Sequence, residues 1–364
     1  MAYPTSVTEP RLGVYAFAEN DQASQLAQAA YLLLLGQELR RHRGATRSPR
    51  HRGIEAPPDE DALAFGIPTI RAERLRYPPP DLPRDADDLH EISRDLAVIL
   101  QAEAREPIAA DLLHACLARP EPIVRVAAAA AAFEITADPR QVIEVLAKAT
   151  TDDDELVRAL AATALARIDP EHPALLRLTS GPSASPGSGK ARTSLLVHGT
   201  FARTDTWWQP GGEFHTYLLD AVLPDLYDQP DRFEWSGGYS DAARVLAAQD
   251  LEAWAQSHAL RDSLLMGHSH GANVIFIVTT LGLGMREAVL LSCPVRWPQY
   301  VPDFSGIGRI VSIRVHLDLV ILADGAGQRF DDPRVEENVL PVWFNHSATH
   351  DPAVWQAHGV EAMI

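Results

Sequence analysis

The run Ser263-Leu264-Leu265-Met266-Gly267-His268-Ser269-His270-Gly271-Ala272 continues directly into Asn273-Val274-Ile275-Phe276-Ile277-Val278-Thr279-Thr280-Leu281. Ser263 to Met266 predicts a short buried strand and Ala272 to Leu281 a helix, and between them stands a G-x-S-x-G turn. Glycine has no Cβ, so Gly267 and Gly271 let the chain turn sharply and let the helix cross close to the strand. A serine at such an apex is held in a strained conformation with its Oγ at the carboxyl edge of a sheet. The free N–H groups of the helix start lie beside it and favour negative charge.

Working outward, Thr193 to Val197 predicts another strand, stopping at His198-Gly199-Thr200-Phe201, and Arg232 to Trp235 predicts a second. A helix is expected from Asp241 to about His258. Beyond the turn, strands are expected at Glu287 to Leu291, Ile310 to Leu317 and Val339 to Phe344. Strands alternating with helices imply an α/β fold with a mostly parallel sheet of about six strands.

A serine hydroxyl becomes a nucleophile only beside a base, normally a histidine oriented by a carboxylate. Asp318 follows the fifth expected strand, with Asp324 as a second choice for the acid. Asn345-His346-Ser347-Ala348-Thr349-His350 follows the last strand and offers two bases, His346 and, as the alternative, His350. The loop aromatics Trp207, Trp208, Phe214, Trp297, Tyr300 and Phe304 are candidates for an apolar rim or, equally, for local core, with Trp207, Trp208 and Trp297 taken as the substrate-binding set. No spacing of histidines or cysteines suggests a metal site, and no cofactor is expected.

From Thr193 to Ile364 the chain resembles the α/β-hydrolase superfamily, in particular its lipase- and esterase-like serine hydrolases. The elbow, the His198-Gly199 turn and the order serine, acid, histidine carry the resemblance. It implies a carboxylic ester hydrolase acting through Ser269, Asp318 and His346 by way of an acyl-enzyme. The oxyanion donors would be the backbone N–H groups of Thr200 and His270, with Phe201 as an alternative to Thr200. The same triad would serve a thioesterase or amidase. A third reading is an interaction protein that carries a non-catalytic hydrolase fold.

The first half is of another kind. Ile123-Val124-Arg125 and an Ala-rich run to Ile135 recur 33 residues later as Leu156-Val157-Arg158 and an Ala-rich run to Ile168. Each copy follows an apolar helix, so the stretch resembles HEAT-like α-helical repeats. A further helix is expected at Asp87 to Glu103, another at Gln22 to Leu39, and a Pro-rich stretch runs from Gly53 to Pro83. Four segments follow: 1–85, a helix and Pro-rich arm; 86–178, the helical repeats; 179–192, a Ser/Gly/Pro linker; and 193–364, the α/β unit. The arm or the repeats would be free to cover the site. The repeats suit a protein partner or self-association.

At 364 residues and a formal charge of −17, the chain argues against non-specific nucleic-acid binding. One basic cluster, Arg40 to Arg52, stands apart from that balance. Two distant cysteines, Cys116 and Cys293, exclude a disulfide framework. Met1 to Arg11 lacks the pattern of a secretory signal, and no apolar run approaches the ~18 residues that span a bilayer. A cytoplasmic protein acting on a small-molecule ester is the expectation.

Overall fold

The computed structural model describes residues 22–47, 106–136, 139–180, 194–258, 260 and 262–364. The Pro-rich stretch, the helix expected at 87–103, residues 181–192 of the expected linker and the basic side chains beyond Arg40 lie outside the described residues.

Among the described residues six helices come first: α1 (Gln22–Arg47), α2 (Glu106–Leu117), α3 (Pro122–Ala132), α4 (Arg140–Ala149), α5 (Glu155–Ile168) and α6 (Pro173–Thr179). The 33-residue repeat falls on α3 and α5. Proline at the first position opens α3, where an N–H would be unsatisfied anyway, and the Asp154 carboxylate caps α5 by accepting from the N–H groups of Leu156 and Val157. The repeated Val-Arg has a structural job. Arg125 donates from Nη1 to the carbonyls of Arg119 and Pro120, and Arg158 donates from the same atom to those of Asp152 and Asp153. Each arginine thus pins the turn that precedes its own helix, five and six residues back.

The buried alanines of these helices permit close approach. Gly36 of α1 meets α3 so tightly that a Cβ there would lie 2.9 Å from the Ala131 Cα. All six helices share one apolar core, which also takes in Leu317, Leu319, Leu322, Trp343 and Phe344 from the second half.

That half is a five-stranded sheet of β1 (Leu195–Val197), β2 (Leu264–His268), β3 (Met285–Leu291), β4 (Ile307–His316) and β5 (Val335–Trp343). The spatial order is the sequence order, and every pair is parallel. Helices α7 (Glu213–Ala221), α8 (Asp241–Ser257), α9 (His270–Thr280), α10 (Leu319–Asp324) and α11 (Pro352–His358) and three 3-10 turns, Phe304–Gly306, His346–His350 and Val360–Met363, complete the described elements. Alternate strand residues enter two cores, as the strand period of two requires. Leu195, Val197, Leu265, Ala288 and Leu290 pack with α8 and α9. Leu196, Leu264, Met266, Val289 and Leu291 pack with Phe214 and Leu218 of α7 and Trp355 of α11. Burial on both faces makes these strands continuous apolar runs.

The expected count of six strands is corrected to five, because Arg232 to Trp235 joins no ladder. Its alternation is real but serves other contacts. Phe233 and Trp235 are buried, Glu234 pairs with Arg203 at 2.7 Å and Arg232 at 3.1 Å, and the Trp235 indole donates to the His198 carbonyl. The segment that pairs beside β1 is a single bridge from Ser194 to Leu226. At the other side β5 begins at Val335, four residues before the apolar run suggests. Its charged start is held by cross-strand pairs, Glu336 with Arg309 at 2.8 Å and Glu337 with Arg314 at 2.9 Å.

The helical half grips α10 by its carboxyl end. Gln37 donates to the Leu322 carbonyl at 3.1 Å and Arg167 to the Ala323 carbonyl at 2.8 Å, while the Arg40 guanidinium lies against Gly325. Cations here complement the helix dipole and satisfy carbonyls left without intrahelical partners. Among the described residues no helix is long and apolar enough to cross a membrane.

Gly36→Val should force α1 off α3 and lower stability by about 1–3 kcal/mol, the usual cost of overpacking. Urea unfolding followed by circular dichroism measures it, and an unchanged midpoint would show that the α1–α3 contact gives way freely.

Candidate functional site

The carboxyl ends of the five parallel strands share a trait. Phe201 beyond β1 (φ 63°), Ser269 after β2 (52°), Ser292 after β3 (45°), Leu317 after β4 (47°) and Phe344 after β5 (70°) are non-glycine residues with left-handed backbones. Such conformations are costly for residues with a Cβ and persist only where surrounding bonds enforce them. The bonds are present. Ser269 N–H donates to the Leu291 carbonyl at 2.8 Å, Ser292 to Ile313 at 2.9 Å, Phe344 to His316 at 2.8 Å and Phe201 to Gly237 at 2.9 Å.

Ser269 is the N-cap of α9 and is buried. The turn admits no larger neighbours: a Cβ on Gly271 would lie 2.5 Å from the carbonyl oxygens of Val197 and His198, and one on Gly267 would lie 2.6 Å from the Ala272 nitrogen. The helix therefore crosses β1 and β2 at backbone contact, and its first N–H groups open towards the strand ends. Among the described residues neither the His270 N–H nor the Thr200 N–H finds an acceptor. Phe201 differs, because its N–H is spent on Gly237. Of the three expected oxyanion donors, Thr200 and His270 thus have an N–H without an acceptor among the described residues, and Phe201 does not.

Asp318 is 1% exposed and caps α10, one carboxylate oxygen accepting from Val320 at 2.9 Å and Ile321 at 3.2 Å. Its other oxygen accepts from His346 Nδ1 at 2.7 Å. A proton on Nδ1 leaves the His346 Nε2 lone pair as the basic position. Gln328 fixes the backbone of the acid, accepting from the Asp318 N–H at 2.7 Å and donating to its carbonyl at 3.3 Å. A lone glutamine in a loop carries no pattern in sequence, and nothing there could have singled it out.

The alternative residues lie elsewhere. Asp324 belongs to a separate buried cluster, with Arg296 at 2.6 Å, His270 Nε2 at 3.4 Å and the Tyr239 hydroxyl at 2.5 Å. Burial works to raise its pKa, but His270 and Arg296 outweigh that and hold the carboxyl below the usual range. Among the described residues His350 has no carboxylate hydrogen bond, Glu155 standing 3.8 Å from its Nε2; Trp207 stacks on it at 4.0 Å and His268 stands edge-on at 4.6 Å. Burial, and then the nearness of His346, lowers the His350 pKa to about 3. Burial also leads in lowering His198 and His270 to about 4, and His268 well below the ordinary value.

Of the expected substrate-binding aromatics, Trp207 lines a cavity of about 500 Å³, whereas Trp208 borders only a gap of about 10 Å³ among the described residues. Trp208 is 1% exposed, stacks on His198 at 4.4 Å and donates to the Ala202 carbonyl, so it is core rather than rim. Trp297 packs on Phe304 and Phe330 with the α8–α9 core. Among the described residues no group of three or more His, Cys, Asp or Glu side chains stands where a metal ion could be held.

No family model matches the chain, and comparison with curated proteins and with solved structures finds no match.

His198, His268, His270 and His350 all titrate below 6.5 in the folded chain. Below pH 6.5 the unfolded chain takes up protons that the folded one refuses, so stability is fully present above 6.5 and declines as the pH falls. The slope is at most about 1.4 kcal/mol per pH unit for each histidine. Urea midpoints at pH 7.5, 6.0 and 5.0 should fall in that order; a constant midpoint would contradict the burial of these rings as neutral groups.

Proposed function

We propose that this chain is a serine hydrolase of the α/β-hydrolase kind, cleaving carboxylic esters, with HEAT-like helices as its first half. The observation that carries the reading is the 2.7 Å bond from His346 to Asp318, at the ends of neighbouring strands of the sheet that also presents Ser269 on a strained turn. A serine, a histidine and a carboxylate on three strand ends have no common structural purpose. For acyl transfer they have one.

In this mechanism His346 Nε2 takes the proton from Ser269 Oγ as the oxygen attacks the ester carbonyl carbon, and the carbonyl electrons move onto oxygen. Asp318 keeps the imidazole in the required tautomer and stabilises its cationic form. The oxyanion is received by the N–H groups of Thr200 and His270, each worth about 3 kcal/mol in the barrier. Collapse re-forms the carbonyl and expels the alkoxide, which takes the proton from His346. Water then attacks the acyl-enzyme by the same steps and frees the acid. His350 is a wall residue in this scheme. Thioesters and amides would pass through the same steps, and the leaving group decides between them.

Hydrolysis of p-nitrophenyl esters from acetate to palmitate tests the proposal. Ser269→Ala and His346→Ala should each cut kcat by about a thousandfold or more, as loss of a triad member does. His350→Ala should keep a measurable rate. A Ser269→Ala protein as active as the wild type would end the proposal.

A further inference from the structure

Asp324 is 4% exposed, and three side chains converge on its carboxylate. Oδ1 accepts from the Tyr239 hydroxyl at 2.5 Å, from Arg296 Nη2 at 2.6 Å and from His270 Nε2 at 3.4 Å, and Oδ2 accepts from Arg296 Nε at 3.1 Å. The direction of the His270 bond follows from its other nitrogen. Asn273 Nδ2 lies 3.1 Å from His270 Nδ1 and 3.0 Å from the Pro294 carbonyl, so it donates one hydrogen to each. The neutral ring then keeps its proton on Nε2, facing Asp324.

Two of the three side chains reach back to the proposed oxyanion donors. His270 is the first residue of α9 and carries one of those N–H groups itself. Tyr239 stacks on Phe201, the residue after Thr200, with the rings 6.4 Å apart and 6° from parallel. Phe201 is also bonded through its N–H to the Gly237 carbonyl, and a Cβ on Gly237 would lie 3.1 Å from that same nitrogen. The segment from Gly237 to Tyr239 is therefore packed directly against the turn after β1. The Tyr239 ring stands edge-on to the His270 ring at 5.9 Å. Asp324 Oδ1 is the point at which side chains join the β1 turn to the start of α9.

A carboxylate bonded to the His270 ring would oppose negative charge at the His270 N–H unless its own charge were offset. Arg296 offsets it. Its fork grips both carboxylate oxygens, and Nη2 donates again to the Asp324 carbonyl at 3.2 Å. Asp324 is also the last residue of α10, whose N-cap is Asp318. One short helix thus bears the partner of His346 at its start and the tie between the oxyanion donors at its end.

We infer that Asp324 is a positioning residue for the oxyanion site, setting the spacing of the Thr200 and His270 N–H groups through Tyr239 and His270. Arg296 keeps the carboxylate from opposing the charge those groups receive. The inference rests on the hydrolase reading.

Two variants of the full-length protein test it. Tyr239→Phe deletes only the hydroxyl and keeps the ring on Phe201. Asp324→Leu/Arg296→Met removes the carboxylate and its counter-charge together, so no charge is left buried and unpaired. With p-nitrophenyl acetate, kcat should fall about tenfold or more in the double variant and about threefold or more in Tyr239→Phe, while KM stays within about twofold, because the oxyanion contacts strengthen only in the transition state. Rates are referred to competent Ser269 counted by stoichiometric fluorophosphonate labelling, so unfolded protein does not register as lost kcat. Phenylboronic acid, which places a tetrahedral anion on the serine, should lose affinity by the same factor as kcat, a parallel that a merely loosened fold would not produce. If the double variant does not fold, Tyr239→Phe decides by the same readouts. Full kcat in the folded variants, or a raised KM at constant kcat, would overturn the inference, and the activity of the wild type would leave the hydrolase reading standing. A wild type that cleaves no ester removes the reading and the inference together, a failure seen before any variant is compared.

Discussion

The contact between α9 and the carboxyl ends of β1 and β2 leaves room for no side chain at Gly271 or Gly267, and much else follows from it. Two backbones at that distance set the start of the helix directly over the strand ends. This puts the His270 N–H beside the turn after β1 and gives Ser269 a left-handed backbone that a ladder bond from β3 then locks. Strain at the serine is thus not stored by the serine. It is imposed by a sheet whose two buried faces cannot shift without exposing both apolar cores.

The acid side is built by a different route. Asp318 is at once the cap of α10 and the partner of His346, so the dipole of one short helix and the ring of one histidine converge on a single carboxylate. The far end of α10 is held by Gln37 and Arg167 from the helical half. The helices contribute no member of the proposed triad. They fix the position of one of its members, and with the sheet half they wall the cavity that Trp207 lines.

What could be read from sequence follows the range of the interactions. The G-x-S-x-G turn is local, and so were the strand before it, the helix after it and the parallel α/β arrangement that they imply. The repeated Val-Arg was visible too, because the arginine acts on its own turn. Arg232 to Trp235 misled because alternation reports burial rather than pairing, and this segment is buried without a ladder. The first residues of β5 were missed for the converse reason: Glu336 and Glu337 look like loop until Arg309 and Arg314 stand opposite. Trp208 read as rim because nothing in a sequence separates a tryptophan facing a ligand from one stacked on a buried histidine. Gln328 and the cavity were illegible, since each depends on residues far apart in the chain.

The shared core of the helical half has a consequence for how the protein comes into being. Leu32, Leu35, Leu160 and Leu165 leave the ribosome early, yet part of the surface that covers their cluster, Leu317 to Leu322 with Trp343 and Phe344, follows about 150 residues after α5 is complete. During that interval the nascent helices carry an unshielded apolar face, the kind of surface that chaperones retain. Synthesis of β4, α10 and β5 releases it, so the last strands of the sheet both close the site and end the vulnerability of the first half.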